Sequence, residues 1–301
     1  MTPPQERRIP AFGLRRRGGG MVGWRDACLA AALITALEAV CGRAPARAEE
    51  QQADIQTAHP CGGGEIARGV VRNILDGRTF VLGDGREVRL AAIEVPALAT
   101  PQGSAPSQGR AAAAALDALA GGDEVVLRQG EAGSDRYGRL LAYGYVIRDG
   151  DQFLLQGELV AEGFARVGDR VVRPCSDDLL SREKSARADK LGLWADPYYE
   201  VLNAELPGNV LAHQGQFALV EGKIASVRES GPRIFVNFGR RRSGDITVTI
   251  LKRKERTFAA AGPDLEALAG RSVRVRGWIE QRGDDRAWIE AERPEQIEIG
   301  D

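Results

Sequence analysis

Asp135-Arg136-Tyr137-Gly138-Arg139, followed by the apolar run Leu140-Leu141-Ala142-Tyr143, is the stretch on which the fold of this 301-residue chain turns. Residues Arg139 to Ile147 read as a strand, ended by the turn signal Asp149-Gly150, and Glu124 to Arg128 reads as the strand before it. Upstream, Arg110 to Ala120 is an alanine-rich helix stopped by Gly121-Gly122, and Pro101 to Gly109, rich in Pro, Gly and Ser, reads as a loop. Further upstream lie three strand-like segments, Val70 to Ile74, Phe80 to Leu82 and Glu87 to Ile93, separated by turn signals at Asp76-Gly77 and Gly83-Asp84-Gly85. Downstream, Glu158 to Glu162 and the charged amphipathic Ser181 to Leu191 read as helices, the second running to Trp194. Short strands closing on themselves with helices at fixed points predict a small barrel, so the fold class is mainly β with α.

These segments resemble the thermonuclease family, the staphylococcal-nuclease-like proteins, whose signature reads Asp-Arg/Lys-Tyr-Gly-Arg. Two further segments carry the resemblance, Val70 to Leu82 and Val88 to Ala97, where the family usually reads Asp-Gly-Asp-Thr and Arg-Leu-…-Asp-Thr-Pro-Glu. The resemblance covers about Val70 to Trp194 and implies an oligonucleotide/oligosaccharide-binding (OB) barrel with three helices. It also implies a phosphodiesterase site in which two arginines clamp phosphate, two aspartates hold calcium and a glutamate acts as base. Arg89 and Arg139 stand at the arginine positions, and a guanidinium suits them because its planar fork donates bidentately to phosphate. Tyr137, inside the signature, is expected to pack.

The departures are chemical. Arg78 stands where the first calcium-binding aspartate would be, and a like charge at 4 Å near a surface costs roughly 4 kcal/mol per pair of unit charges. Calcium takes six to eight oxygens, so exchanging a carboxylate for a guanidinium injures the site twice. Glu94 keeps a carboxylate at the second aspartate position, and Asp76 is a weaker candidate metal ligand whose default role is the Asp-Gly turn. Ala97 stands at the base position and accepts no proton. Gly168, Asp169 and Val171 follow Arg166-Val167 where the family places base-stacking tyrosines. Two readings of Arg78 stay open: Arg78, Arg89 and Arg139 converge as a metal-free anion site, or Arg78 pairs with Glu94 and the old site has become an internal salt bridge. The expected function is a weakened or inactive nuclease homologue that binds nucleic acid or another anionic ligand through its arginines. The alternatives are a working calcium-dependent phosphodiesterase using Glu94, Asp76, Arg89 and Arg139, and an envelope interaction scaffold.

Beyond Asp196-Pro197 to Pro207-Gly208, read as a linker, strand patterns recur at Ala218 to Val227, Ile234 to Phe238, Ile246 to Leu251, Ser272 to Ile279 and Arg286 to Glu292. A short helix at Asp264 to Ala269 between the third and fourth strands completes the layout of a second OB barrel. Arg240-Arg241-Arg242 and Lys252-Arg253-Lys254 read as solvated basic loops, and Phe235, Phe238 and Trp278 as core positions rather than base-stacking platforms.

Length leaves room for about two domains, and a hydrophobic content of 43% suffices for real cores. Basic Arg15-Arg16-Arg17, an apolar run from Ala27 to Val40 and small residues at Ala46-Arg47-Ala48 read as a leader over residues 1–48, too short in its apolar part for a membrane span. The expected order is leader 1–48, linker 49–68, barrel 69–196, linker 197–214 and second barrel 215–301, in an exported chain. Cleavage after Ala48 removes Cys28 and Cys41, so Cys61 and Cys175 are expected to form one disulfide, the alternative being two free buried thiols. With His59 and His213 they are too few soft ligands for zinc. Residues 49–205 carry 17 basic and 25 acidic groups, residues 206–301 carry 16 and 14, so the first barrel gains little from long-range attraction to a polyanion.

Overall fold

The computed structural model describes residues 60–98, 107–239, 245–261, 264–283 and 286–300. The expected leader, most of the first linker, His59, the Arg240-Arg241-Arg242 run and residues 101–106 of the expected loop lie outside the described residues. All described residues belong to one compact unit, Ile55–Asp301.

The first half runs β1 (Glu65–Asp76), β2 (Thr79–Leu82), β3 (Glu87–Leu90), β4 (Ile93–Glu94), α1 (Ser107–Ala120), β5 (Glu124–Ser134), β6 (Leu140–Arg148), β7 (Asp151–Leu154), α2 (Leu155–Ala161), β8 (Arg166–Val167) and α3 (Cys175–Ala188). The strands lie in the order β3-β2-β1-β5-β6-β7, and a parallel β3–β6 pairing, with Arg89 opposite Leu141, closes five of them into a ring. This is the OB order expected from the sequence. Alternate positions of β2 and β3, Phe80, Leu82, Val88 and Leu90, join Leu127 of β5 and Leu155 at the start of α2 in the core; all are buried, each contributing about 1.5–3 kcal/mol by leaving water. Gly77 lets α1 lie on the β1–β2 turn, since a Cβ there would come within 2.5 Å of the Ala112 side chain. The disulfide joins Cys61, just before β1, to Cys175 at the start of α3, across a sequence separation of 114. Closing a loop of that length contributes on the order of 4–5 kcal/mol in the chain-entropy account.

The second half adds β9 (Leu202–Asn203), α4 (Pro207–Leu211), β10 (Phe217–Lys223), β11 (Ser226–Ser230), β12 (Arg233–Asn237), β13 (Thr247–Leu251), α5 (Glu255–Ala261), β14 (Ser272–Trp278), β15 (Glu280–Gln281), β16 (Ala287–Glu290) and β17 (Ile297–Ile299). It forms two sheets, β17-β14-β10-β9 and β11-β12-β13-β16-β15, the second held together by a parallel pairing of β13 with β16. The expected continuous strand Ala218 to Val227 breaks into β10 and β11 at Ile224-Ala225, whose backbone groups bond instead to Arg271 and Asn237. Residues Glu65 to Arg68 of the first expected linker already belong to β1. The second expected linker also folds: β9 pairs in parallel with β10, and α4 follows it. The helix expected at Asp264 to Ala269 is only a short 3-10 turn, while α5 lies earlier in the chain. Among the described residues no helix is long and apolar enough to cross a membrane.

The two halves meet over a small cluster comprising Ala186, Leu193, Trp194, Tyr199, Phe217 and Leu219. Beside it lies a fully buried ion pair, Arg276 of β14 with Glu183 of α3, at 2.8 Å and 0% exposure for both side chains. Glu183 also accepts the Val167 N–H, and Arg276 donates to the Val167 carbonyl.

Candidate functional site

The β1–β2 turn places Arg78. Asp76 Oδ1 accepts the Arg78 N–H at 2.8 Å, an Asx turn that spends this carboxylate on backbone geometry. After β3 the chain passes through Ala92 in the left-handed region (φ 64°), whose carbonyl accepts the Gly168 N–H. That bend delivers β4, paired with β8, so that Glu94 faces the β1–β2 turn. Arg78 Nη2 stands 2.6 Å from Glu94 Oε2, while its Nη1 donates to the Ile93 carbonyl. The side chains are only 11% and 15% exposed. Of the two readings of Arg78, the internal salt bridge is the one with a formed contact.

Arg89, on β3, is held loosely: Nη1 lies 3.4 Å from Thr79 Oγ1 and 3.9 Å from Asp76 Oδ2. Burial lowers its readiness to hold a proton, and the charges of Arg78 and then Arg139 push the same way, partly offset by Asp76 and Glu94. Arg89 therefore feels the charges of both other arginines.

Arg139 is positioned by the signature itself. Asp135 accepts the Tyr137 and Arg139 N–H groups at 2.8 and 3.1 Å, and pairs with the Arg139 side chain at 2.7 Å through Nε and 2.6 Å through Nη2. Burial works to raise the Asp135 pKa, but these hydrogen bonds outweigh it and hold the carboxyl below its ordinary value. Tyr137 does not pack into the ring: it is 67% exposed, with the Arg136 and Arg139 guanidiniums 4.8 and 5.1 Å from its ring centre. Gly138, at φ 80°, turns the chain outward there and leaves Tyr137 at its tip.

Ala97, at the expected base position, is fixed through its backbone. A Cβ on Gly109 of α1 would fall 2.3 Å from the Ala97 carbonyl oxygen, so the first turn of α1 lies directly on it. Asp169, where a base-stacking tyrosine is expected, is largely buried, and burial with the nearby Glu94 charge pushes its carboxyl up. Among the described residues no three His, Cys, Asp or Glu side chains gather as a metal site. In the second half Phe238 is buried as expected. Phe235 is only half-buried and packs edge-on to Trp288, and Trp278 is 44% exposed, both against the expectation of core positions.

The structure thus brings Asp76, Arg78, Arg89 and Glu94 together, with Arg139 close enough for its charge to be felt. Three residues escaped the sequence reading: Arg166, Glu183 and Arg276. Each is a charged residue in an ordinary-looking strand or helix, and only the docking of the two halves buries it.

Residues 87–196 match the family model described as staphylococcal nuclease homologue. A search of curated proteins finds no match to the chain. Residues 87–196, from β3 through α3 and including the Asp135 to Arg139 signature, therefore form a staphylococcal nuclease homologue domain within the chain.

Proposed function

We propose that this staphylococcal nuclease homologue domain has given up calcium-dependent cleavage and serves, in an exported protein, as a module that binds phosphate-bearing chains through Arg89 and Arg139. The observation that carries the reading is the Arg78–Glu94 pair at 2.6 Å. A guanidinium donating to both Glu94 and the Ile93 carbonyl occupies the oxygens a cation would need, and calcium demands several more. The residues present do not fit calcium. With Ala97 unable to take a proton, water has neither of its two usual activators. Arg89 retains donors beyond its long contacts to Thr79 and Asp76, and Arg139 uses only Nε and Nη2 on Asp135 among the described residues. Both can still serve an anion. The Cys61–Cys175 bond supports an oxidising compartment and hence export.

The test is cleavage of denatured DNA and RNA in calcium against chelator, with binding of a labelled oligonucleotide followed by anisotropy in chelator. The expected result is no calcium-dependent cleavage, with saturable binding that weakens about tenfold or more in Arg89→Ala. The double variant Arg78→Asp/Ala97→Glu is expected to gain calcium-dependent cleavage. Calcium-dependent cleavage by the natural chain, abolished in Arg139→Ala, overturns the reading.

A further inference from the structure

The seam between the halves encloses a cavity of about 710 Å³, reaching from Glu94 and Ala97 in the first half to Phe217 and Trp278 in the second. Its wall is a chain of rings interrupted by one cation. Trp278 packs on Phe217 with ring centres 6.0 Å apart, and Arg166 sits 5.2 Å from the Phe217 centre and 5.3 Å from that of Tyr199. Tyr199 packs on Tyr198 at 5.0 Å, and Tyr198 on His213 at 5.2 Å. Trp278, at one end, and Tyr198, next to His213 at the other, are 44% and 49% exposed.

Arg166 is 8% exposed, yet it makes no hydrogen bond or ion pair among the described residues, and its Nε is buried without a partner. The two carboxylates whose charge favours it most are already engaged: Glu183 holds Arg276 and the Val167 N–H, and Glu94 holds Arg78. Two ring contacts compensate a buried guanidinium only in part, because cation–π attraction is worth about 2 kcal/mol when desolvated. Burial accordingly lowers the readiness of Arg166 to hold its proton. A buried cation on a cavity wall, with its natural partners committed elsewhere, is a receptor for an anion.

We infer that this cavity binds a small, singly charged anion carried on a planar ring, the anion on Arg166 and the ring against Trp278 or Tyr198. The volume lies within the range of small-molecule sites, about 300–1,000 Å³. The single charge follows from the lining: one uncompensated cation stands against Asp196 and Glu200, which repel a second negative charge. A carboxylate or a phosphodiester meets that requirement, and a phosphate monoester does not. The cavity borders the first site at Glu94 and Ala97, but its anion receptor is Arg166 rather than Arg89 or Arg139, so the inference does not rest on the function proposed for that pair.

Isothermal titration of the full-length protein tests the inference with three probes: 2-naphthoate, dithymidine monophosphate and thymidine 5′-phosphate. The expected result is saturable one-site binding of at least one of the first two, at least tenfold tighter than thymidine 5′-phosphate. The same binding is expected to weaken at least tenfold in Arg166→Met. Binding of 2-naphthoate alone assigns the site to aromatic carboxylates, and of dithymidine monophosphate to nucleic-acid ends. Trp278→Ala, at an exposed position, provides a variant that folds even if Arg166→Met does not, and is expected to weaken binding as well. No saturable binding by either singly charged probe, or binding unchanged in Trp278→Ala and in folded Arg166→Met, overturns the inference, as does tighter binding of thymidine 5′-phosphate.

Discussion

Arg78–Glu94 and Arg276–Glu183 are the same chemical pair in two settings. The first has side chains 11% and 15% exposed, joins residues 16 apart in sequence and lies within the first half, between the β1–β2 turn and β4. The second is wholly buried, joins residues 93 apart and ties one half of the molecule to the other. The first pair neutralises a carboxylate that stands where a metal ligand is expected, and water can still reach it. The buried pair has no such relief, so it is satisfied by a wider network: Glu183 takes the Val167 N–H, and Arg276 also bonds Glu298, which Arg274 and Arg187 approach in turn. Exposure therefore decides how much each pair costs to break, and the location decides what breaking it would reveal.

Arg276→Met should show the largest effect. It leaves Glu183 buried with only the Val167 N–H at hydrogen-bonding distance, and the expected loss is about 3–5 kcal/mol in urea unfolding. Replacing both partners, Arg276→Met with Glu183→Met, should cost less than the single change, because no uncompensated charge remains. A double variant as unstable as the single one would mean that the network around Val167 and Glu298, rather than the pair, holds the halves together.

Arg78→Met should cost less, about 1–3 kcal/mol, because the stranded Glu94 carboxylate can turn toward water. Thermal melts with and without calcium sharpen this: the natural chain and Arg78→Met should both be indifferent to calcium, because methionine supplies no oxygen ligand, and a calcium-dependent rise in Tm should appear only in Arg78→Asp/Ala97→Glu. A calcium shift in the natural chain breaks the comparison.

The smallest effect concerns acid. Burial works to raise the Glu298 carboxyl, but Arg276 outweighs it and holds the folded pKa below the ordinary value. A depressed carboxylate contributes stability that is complete above its unfolded pKa and is lost as pH falls through the folded one. Unfolding midpoints should therefore fall between about pH 5 and 3, and less steeply in Glu298→Gln. Asp169, pushed up by burial, acts with the opposite sign, so the variant's change in slope is the measurement rather than the slope itself.

The first ring was legible because its signals are local. Asp76-Gly77, Asp149-Gly150 and the Asp135 to Arg139 signature each set a turn within a few residues, and alternation then assigns each strand a face. The second half was read less fully for the same reason. The break at Ile224-Ala225 is stabilised by hydrogen bonds to Asn237 and Arg271, and β9 is defined by its pairing with β10, both partners distant in sequence. Tyr137 was misjudged because the residues beside it look like a strand start, whereas Gly138 at φ 80° turns the chain outward.

By itself the sequence determined the first ring, its turns, the availability of Cys61 and Cys175 to each other, and the residue types at the positions the resemblance singles out, Arg78 and Ala97 among them. These follow from residue type and short-range spacing. Only the tertiary structure brings Glu94 onto Arg78, because that contact depends on where Glu94 arrives after the bend at Ala92. It alone decided which charges are buried. Arg166, Glu183 and Arg276 are unremarkable in a strand or helix exposed to water, and they acquire their meaning when two sheets and α3 close over them and water is no longer the alternative partner.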